Sequence, residues 1–281
     1  MWVAGRFELL RLLGQGATGT VHAAHDHQQQ RLVALKTLLA APGAPATLQA
    51  EARARFAAEG ARAQLLNHPD IVKVFEVSDD AGCAWLAMEA VPGTDLARYT
   101  HADRLLPEPL VLQIVARLAL ALTHAHAVGV VHRDLKPGNV LAHWPSDTLK
   151  IVDFGLARSA DALATRTGLI LGTPAYMAPE QLAGALPDAR SDFYALGAML
   201  FHLLTGRLPF EDVNLGERLR RVAGEPAPDL RSLRPQWPAA LAQVVAGLLE
   251  RQAHLRAHDG PALAAALQAQ CKAWPGGSKS R

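Results

Sequence analysis

The chain has 281 residues, 50% of them hydrophobic and 19% charged, with 28 Lys and Arg against 26 Asp and Glu for a formal net charge of +2. At about 150 residues per domain this length predicts two lobes. So small a charge excess argues against a nucleic-acid partner or a membrane surface, and the one dense basic run, RLRR at 218–221, reads as a solvated helix face.

Cys83 and Cys271 stand far apart with no CxxC partner, which fits a reducing compartment better than a disulfide framework. The opening MWVAGRFELLRLLG lacks the basic-then-apolar order of a signal peptide. The longest apolar stretch, VLQIVARLALAL, is interrupted by Gln113 and Arg117 and is too short to cross a bilayer. A soluble, cytoplasmic chain without membrane contact is expected.

Residues 6–39 alternate β-like runs with turns: FELLRLLG, TVHAAHD and RLVALKTL. After the Pro/Ala loop APGAPAT, LQAEARARFAAEGARAQLL carries a helical period that stops at NHPD. IVKVFEVSDD and CAWLAMEAV read as two further strands, closing a small, mostly β lobe over residues 1–91. Beyond it the pattern turns helical, at 107–128, 190–205, 238–250 and 259–272, with VLA and LKIVDFG as short strands between. A second lobe is thus expected over 92–272, and WPGGSKSR places a disordered tail or the start of a linker at 273–281.

The chemistry-bearing residues fall in order along this frame. LGQGATGTV spaces Gly14, Gly16 and Gly19 as G-x-G-x-x-G-x-V ending at Val21, where absent side chains let backbone N–H groups close over phosphates. A dinucleotide fold needs that loop to open a helix, but TVHAAHD continues as a strand. VALK ends at Lys36, an ammonium within reach of phosphates if an acid holds it, and Glu59 in the following helix is the best candidate, with Glu51 next. HRDLKPGN then sets Asp134, Lys136 and Asn139 in one short loop, an arrangement for holding a phosphate and a metal ion.

Joined to VDFG, GTPAYMAPE, SDFYALGAML and LTGRLPF, this order resembles the eukaryotic-type (Hanks-type) serine/threonine protein kinase catalytic domain found in bacteria, over residues from about Phe7 to about Leu267. The resemblance implies an α+β, bilobal protein-kinase fold: a small lobe with an antiparallel sheet and one helix, and a larger, mainly helical lobe. It implies ATP and Mg²⁺, with Mn²⁺ as a substitute, and transfer of the γ-phosphoryl to Ser/Thr hydroxyls of protein substrates. Asp134 would orient the hydroxyl, Lys136 would neutralise developing charge, Lys36 and Glu59 would place the phosphates, and Asn139 and Asp153 would ligate the metal.

The same resemblance makes WLAMEAVPG the hinge, with Met88 guarding the back of the pocket, backbone at Glu89 and Val91 meeting adenine, Ala34 above the purine and Asp95 near the ribose. Glu180 and Arg256 become the buried pair of the large lobe, and Asp192 the brace of the HRD backbone. Thr165 and Thr167 become autophosphorylation sites, Arg133 the guanidinium that would pair with them, and a transient homodimer the way to modify them. Thr173 is expected to stay unmodified. Lys136 two residues after Asp134, with GTPAY before MAPE, is the serine/threonine pattern rather than the tyrosine one.

Thr18 at the glycine-loop tip, Ala90 in the hinge and Ala257 after Arg256 depart from the family's usual residues without touching a catalytic group. The rival reading is a pseudokinase, a scaffolding module on the same fold. Its usual mark is loss of the strand lysine or of a key aspartate, whereas Lys36, Asp134 and Asp153 are all present. The histidines of HAAHDH and HAH lack a clustered second pair or a cysteine, and read as exposed or packed side chains rather than metal ligands.

Overall fold

The computed structural model describes residues 1–16, 19–39, 43–80, 83–154, 174–211 and 215–274. Strands β1 (Trp2–Val3), β2 (Phe7–Gln15), β3 (Gly19–Asp26), β4 (Arg31–Leu38), β5 (Val74–Asp80) and β6 (Cys83–Glu89) form one antiparallel sheet in the order β1-β2-β3-β4-β6-β5. Its period-2 alternation sorts side chains between two cores. In β4, Val33 and Leu35 pack with Phe7, Ala24 and Trp85, while Ala34 turns to the opposite face with Met88 and Leu86.

Helix α1 (Ala46–Gln64) covers that second face. Its Ala, Glu, Arg and Gln residues favour a helix, and Phe56, Gly60 and Ala63 make a buried stripe at helical spacing. Gly60 is there for room, because a Cβ built on it would lie 2.7 Å from Val77 Cγ2 on β5.

The second lobe is built on helices α2 (Glu108–Ala127), α3 (Pro179–Leu182), α4 (Ala189–Thr205), α5 (Leu215–Gly224), α6 (Leu230–Leu233), α7 (Ala239–Leu248) and α8 (Gly260–Lys272). Helix α4 is buried from Ser191 to Leu204 apart from His202, with α2 and α7 packed against it and α8 on the far side of α2. Asp188 caps its start through the Arg190 and Ser191 N–H groups, and Gly206 ends it in the left-handed region. Among the described residues α2 is the one helix long and apolar enough to cross a membrane by length and composition, and ten of its residues are buried in this core.

A three-stranded sheet, β7 (Thr94–Asp95), β8 (Val140–His143) and β9 (Thr148–Ile151), in the order β7-β8-β9, buries Val140, Ala142, Leu149 and Ile151 in the large lobe's core. The turn after α1 joins it directly: Ile71 bridges Ile151, the Ile151 N–H donates to Asp70 O at 2.8 Å, and the Val72 N–H to Ile151 O at 2.9 Å. Leu66 and Ile71 accordingly belong to the large lobe's core although they lie before residue 91. At the other end Trp274, just past α8, packs beside Trp237 with ring centroids 6.5 Å apart.

Candidate active site

The loop between α2 and β8 is held from below. Asp192, 1% exposed in α4, accepts the His132 and Arg133 N–H groups, each at 2.8 Å, and pairs with His126 Nε2 at 2.8 Å. Arg133 takes φ 70 there, a left-handed conformation that this double anchor sustains. Gln181 adds a third tie through Arg133 O at 3.0 Å. The His132 ring lies against Phe154 and reaches Val152 O at 3.0 Å, a packing role.

On this platform the three polar groups converge. Lys136 Nζ lies 2.6 Å from Asp134 Oδ2, and Asn139 Nδ2 donates to Asp134 O at 2.8 Å. Committing the Asn139 amide nitrogen leaves its Oδ1 as the free acceptor, and Asp153 follows β9 with φ 61 and a carboxylate one-third exposed. Two hard oxygen donors beside a phosphate path suit Mg²⁺, which takes few protein ligands.

Lys36, 5% exposed on β4, places its Nζ 2.8 Å from Asp153 Oδ1. The expected Lys36–Glu59 pair is not formed. Glu59 sits half-buried on α1 with no hydrogen bond or ion pair among the described residues, and burial raises its carboxyl to about 7 against the pull of Arg133 and Lys36. Register puts Lys36 on the face of the sheet that α1 covers, so the choice between the two acids is made by how α1 and β9 are seated and not by the strand. The lysine's reach is satisfied by the nearer carboxylate.

Val21, Ala34, Met88, Val91 and Val152 share one apolar cluster on the same face of the sheet, the residues that would line an apolar slot for a base. Val152, unremarked in the sequence, belongs to it by following β9. A Cβ at Gly14 or Gly16 would meet nothing within 4 Å, so both glycines face open space, whereas one at Gly19 would strike the Thr37 backbone. Two glycines thus serve the opening and one the strand pairing. The Glu89 N–H is committed to Lys73 O at 2.8 Å, and its carboxylate to Lys150 at 2.9 Å. Asp95 caps the short helix Leu96–Tyr99 by accepting the Ala97 N–H at 3.0 Å.

Arg256, 1% exposed, binds Glu180 at 2.7 and 2.9 Å and reaches Glu250 O and Arg190 O. Burial alone would raise the Glu180 carboxyl, yet the Arg256 guanidinium overrides it and holds the group below its ordinary value. Gln181 carried no signal in the sequence beyond adjacency to Glu180, and His126, read within HAH as an exposed or packed histidine, is a packed one that pairs with Asp192. Thr165, Thr167, Thr173 and Thr18 lie outside the described residues.

Residues 7–269 match the protein kinase domain family model. The chain is 40% identical over 268 residues to the DNA damage-responsive serine/threonine-protein kinase RqkA of Deinococcus radiodurans, covering 93% of this chain and 39% of that protein. It is 36% identical over 233 residues to the serine/threonine-protein kinase PknB of Mycobacterium leprae, covering 80% of this chain and 37% of that protein. It therefore spans about two-fifths of the length of these relatives. Among solved structures it resembles the Mycobacterium tuberculosis PknI kinase domain, with TM-score 0.74, 32% identity and coverage of 96% of this chain and 98% of that one. The chain belongs to the protein kinase domain family, in its bacterial Hanks-type serine/threonine branch.

Proposed function

We propose that this domain transfers the γ-phosphoryl of Mg·ATP to serine and threonine hydroxyls of protein substrates in the bacterial cytoplasm. The observation that carries the reading is the Asp134–Lys136–Asn139 cluster, closed by bonds of 2.6 and 2.8 Å and held on Asp192. Asp134 orients the acceptor hydroxyl and takes up its proton, while Lys136 stabilises charge on the moving phosphoryl. Asn139 Oδ1 and the Asp153 carboxylate would hold Mg²⁺, for which Mn²⁺ can stand in. When bound, the metal neutralises phosphate charge.

Lys36 serves the phosphates once it shares itself between Asp153 and Glu59. The apolar slot takes adenine, and at Glu89 the adenine contact falls to the carbonyl because the N–H is already used. Arg133 supports a regulatory role: its Nε is buried without a hydrogen-bond partner among the described residues. A phosphothreonine there would supply that partner through a charge-assisted bond, and a transient homodimer would deliver it.

Labelled ATP with a generic protein acceptor, with and without Mg²⁺, tests the assignment. Transfer that requires Mg²⁺ and is lost in Asp134→Asn supports it, and metal-independent or absent transfer rejects it. Mass spectrometry after Mg·ATP incubation checks Thr165 and Thr167. Neither site modified, together with full activity of the double alanine variant, removes the regulatory part.

A further inference from the structure

Arg117 is a cation in the middle of α2, flanked by the buried Ala116 and Leu118. Its guanidinium serves two carboxylates. Nε lies 3.1 and 3.2 Å from the oxygens of Asp70, and Nη1 lies 2.9 Å from Asp147 Oδ1. The Asp70 side chain is 7% exposed and that of Asp147 is 94% exposed.

Solvation accounts for the first arm only. A buried carboxylate needs a partner, while an exposed aspartate in a turn needs none. The second arm gains its meaning from chain position. Asp70 lies in the turn that ends α1, the helix carrying Glu59, and its carbonyl accepts the Ile151 N–H. Asp147 is the left-handed residue of the β8–β9 turn, and its carbonyl also receives Arg117 at 3.3 and 3.4 Å. That hairpin starts directly after Asn139 and ends two residues before Asp153.

Two turns further along the same face of α2, His124 Nε2 accepts the Asn67 N–H at 3.4 Å. Helix α2 thus grips the 67–70 turn at both ends, and one guanidinium ties that turn to the hairpin. We propose that Arg117 is a positioning residue for phosphoryl transfer: by holding Asp70 and Asp147 together it fixes the Asn139–Asp153 hairpin against the end of α1, and so places the groups that meet the nucleotide's phosphates. The inference rests on the kinase reading above. It gives a purpose to a charge that otherwise only interrupts an apolar helix.

The test compares wild type, Arg117→Leu, Arg117→Lys and Asp147→Ala by melting temperature and by equilibrium affinity for a non-hydrolysable Mg·ATP analogue and for adenosine. Adenosine carries no phosphate and reports the apolar slot alone. Arg117→Leu is expected to weaken the Mg·ATP analogue about 3- to 10-fold with adenosine affinity unchanged. Arg117→Lys, a point charge that reaches one carboxylate, should fall between, and Asp147→Ala should change little because its carbonyl remains. If the folded leucine and lysine variants bind both ligands as wild type does, or lose both in parallel with a lower melting temperature, Arg117 is a stabilising residue and the proposal is overturned. Should the leucine variant fail to fold, the lysine variant decides by the same criterion. A wild type whose ATP affinity gains nothing from Mg²⁺ would instead overturn the kinase reading, and this inference with it.

Discussion

The surroundings of Glu59 disfavour its charged form, and Glu59→Gln should therefore trade activity for stability in a pH-dependent way. Burial lifts its carboxyl from 4.5 to about 7 in the folded protein. A group whose folded value is raised binds its proton more tightly in the native state, so the stability it contributes is present below about 4.5 and lost as pH rises through about 7. At about 1.36 kcal/mol per pH unit the full gap is worth roughly 3 kcal/mol, and solvent access to a half-buried carboxylate reduces it to about 1–2 kcal/mol. Glutamine carries no charge at any pH and escapes this cost. Urea unfolding at pH 5 and pH 8.5 measures it: the variant should gain about 1 kcal/mol on wild type between the two. Its kcat/KM should fall, because an amide offers Lys36 no charge during turnover. A stability gap that does not widen with pH, or a glutamine variant with full activity, refutes the reasoning.

Asp134→Asn should keep the fold and ATP binding while lowering phosphoryl transfer by roughly 10²–10⁴, measured as kcat with saturating substrate; unchanged turnover rejects the assignment. Asp153→Ala should weaken Mg²⁺-dependent ATP binding and leave adenosine binding alone, as titration calorimetry would show. A double-mutant cycle of Lys36→Met and Glu59→Ala should be additive in unfolding free energy, since the two side chains do not touch in this structure, yet non-additive in kcat/KM if they meet during turnover. Additivity in both would leave Glu59 outside the reaction. Arg256→Leu strands the Glu180 carboxylate and should cost about 3–5 kcal/mol in chemical denaturation; a loss under 1 kcal/mol would mean that water replaces the guanidinium.

Much of the fold is legible because strong periods have few readings. VALK alternates faces, the 46–64 segment repeats an apolar stripe, and both sort themselves between cores as their spacing predicts. What escaped the sequence is short or only partly buried. Two-residue strands such as Thr94–Asp95 are below any pattern, and of the RLRR run read as a solvated helix face only Arg220 is exposed, while Arg218, Leu219 and Arg221 are half-buried on α5 and Val222 joins the core. The division of the lobes at residue 91 is likewise a chain-order idea, while Leu66 and Ile71 cross it because the α1 turn is stitched to β9.

The site shows where such reading stops. Identity and order single out Lys36, Glu59, Asp134, Asn139 and Asp153, since few residue types can hold phosphate and magnesium. Which of them touch is a matter of ångströms fixed by distant packing. A lysine side chain can reach either acid, and nothing in the spacing of residues 36, 59 and 153 ranks them. The ranking comes from the seat of α1, set by Gly60 against Val77, and from the seat of β9, set by Ile71 and Ile151. With those seats as they stand, Asp153 takes the ammonium and Glu59 keeps a proton near neutrality. What keeps that proton on is burial, against the pull of Lys36 and Arg133, which favour the charged form. The seats that decide the pairing are held by the α1 turn and its stitching to β9, residues that carry no catalytic signature at all.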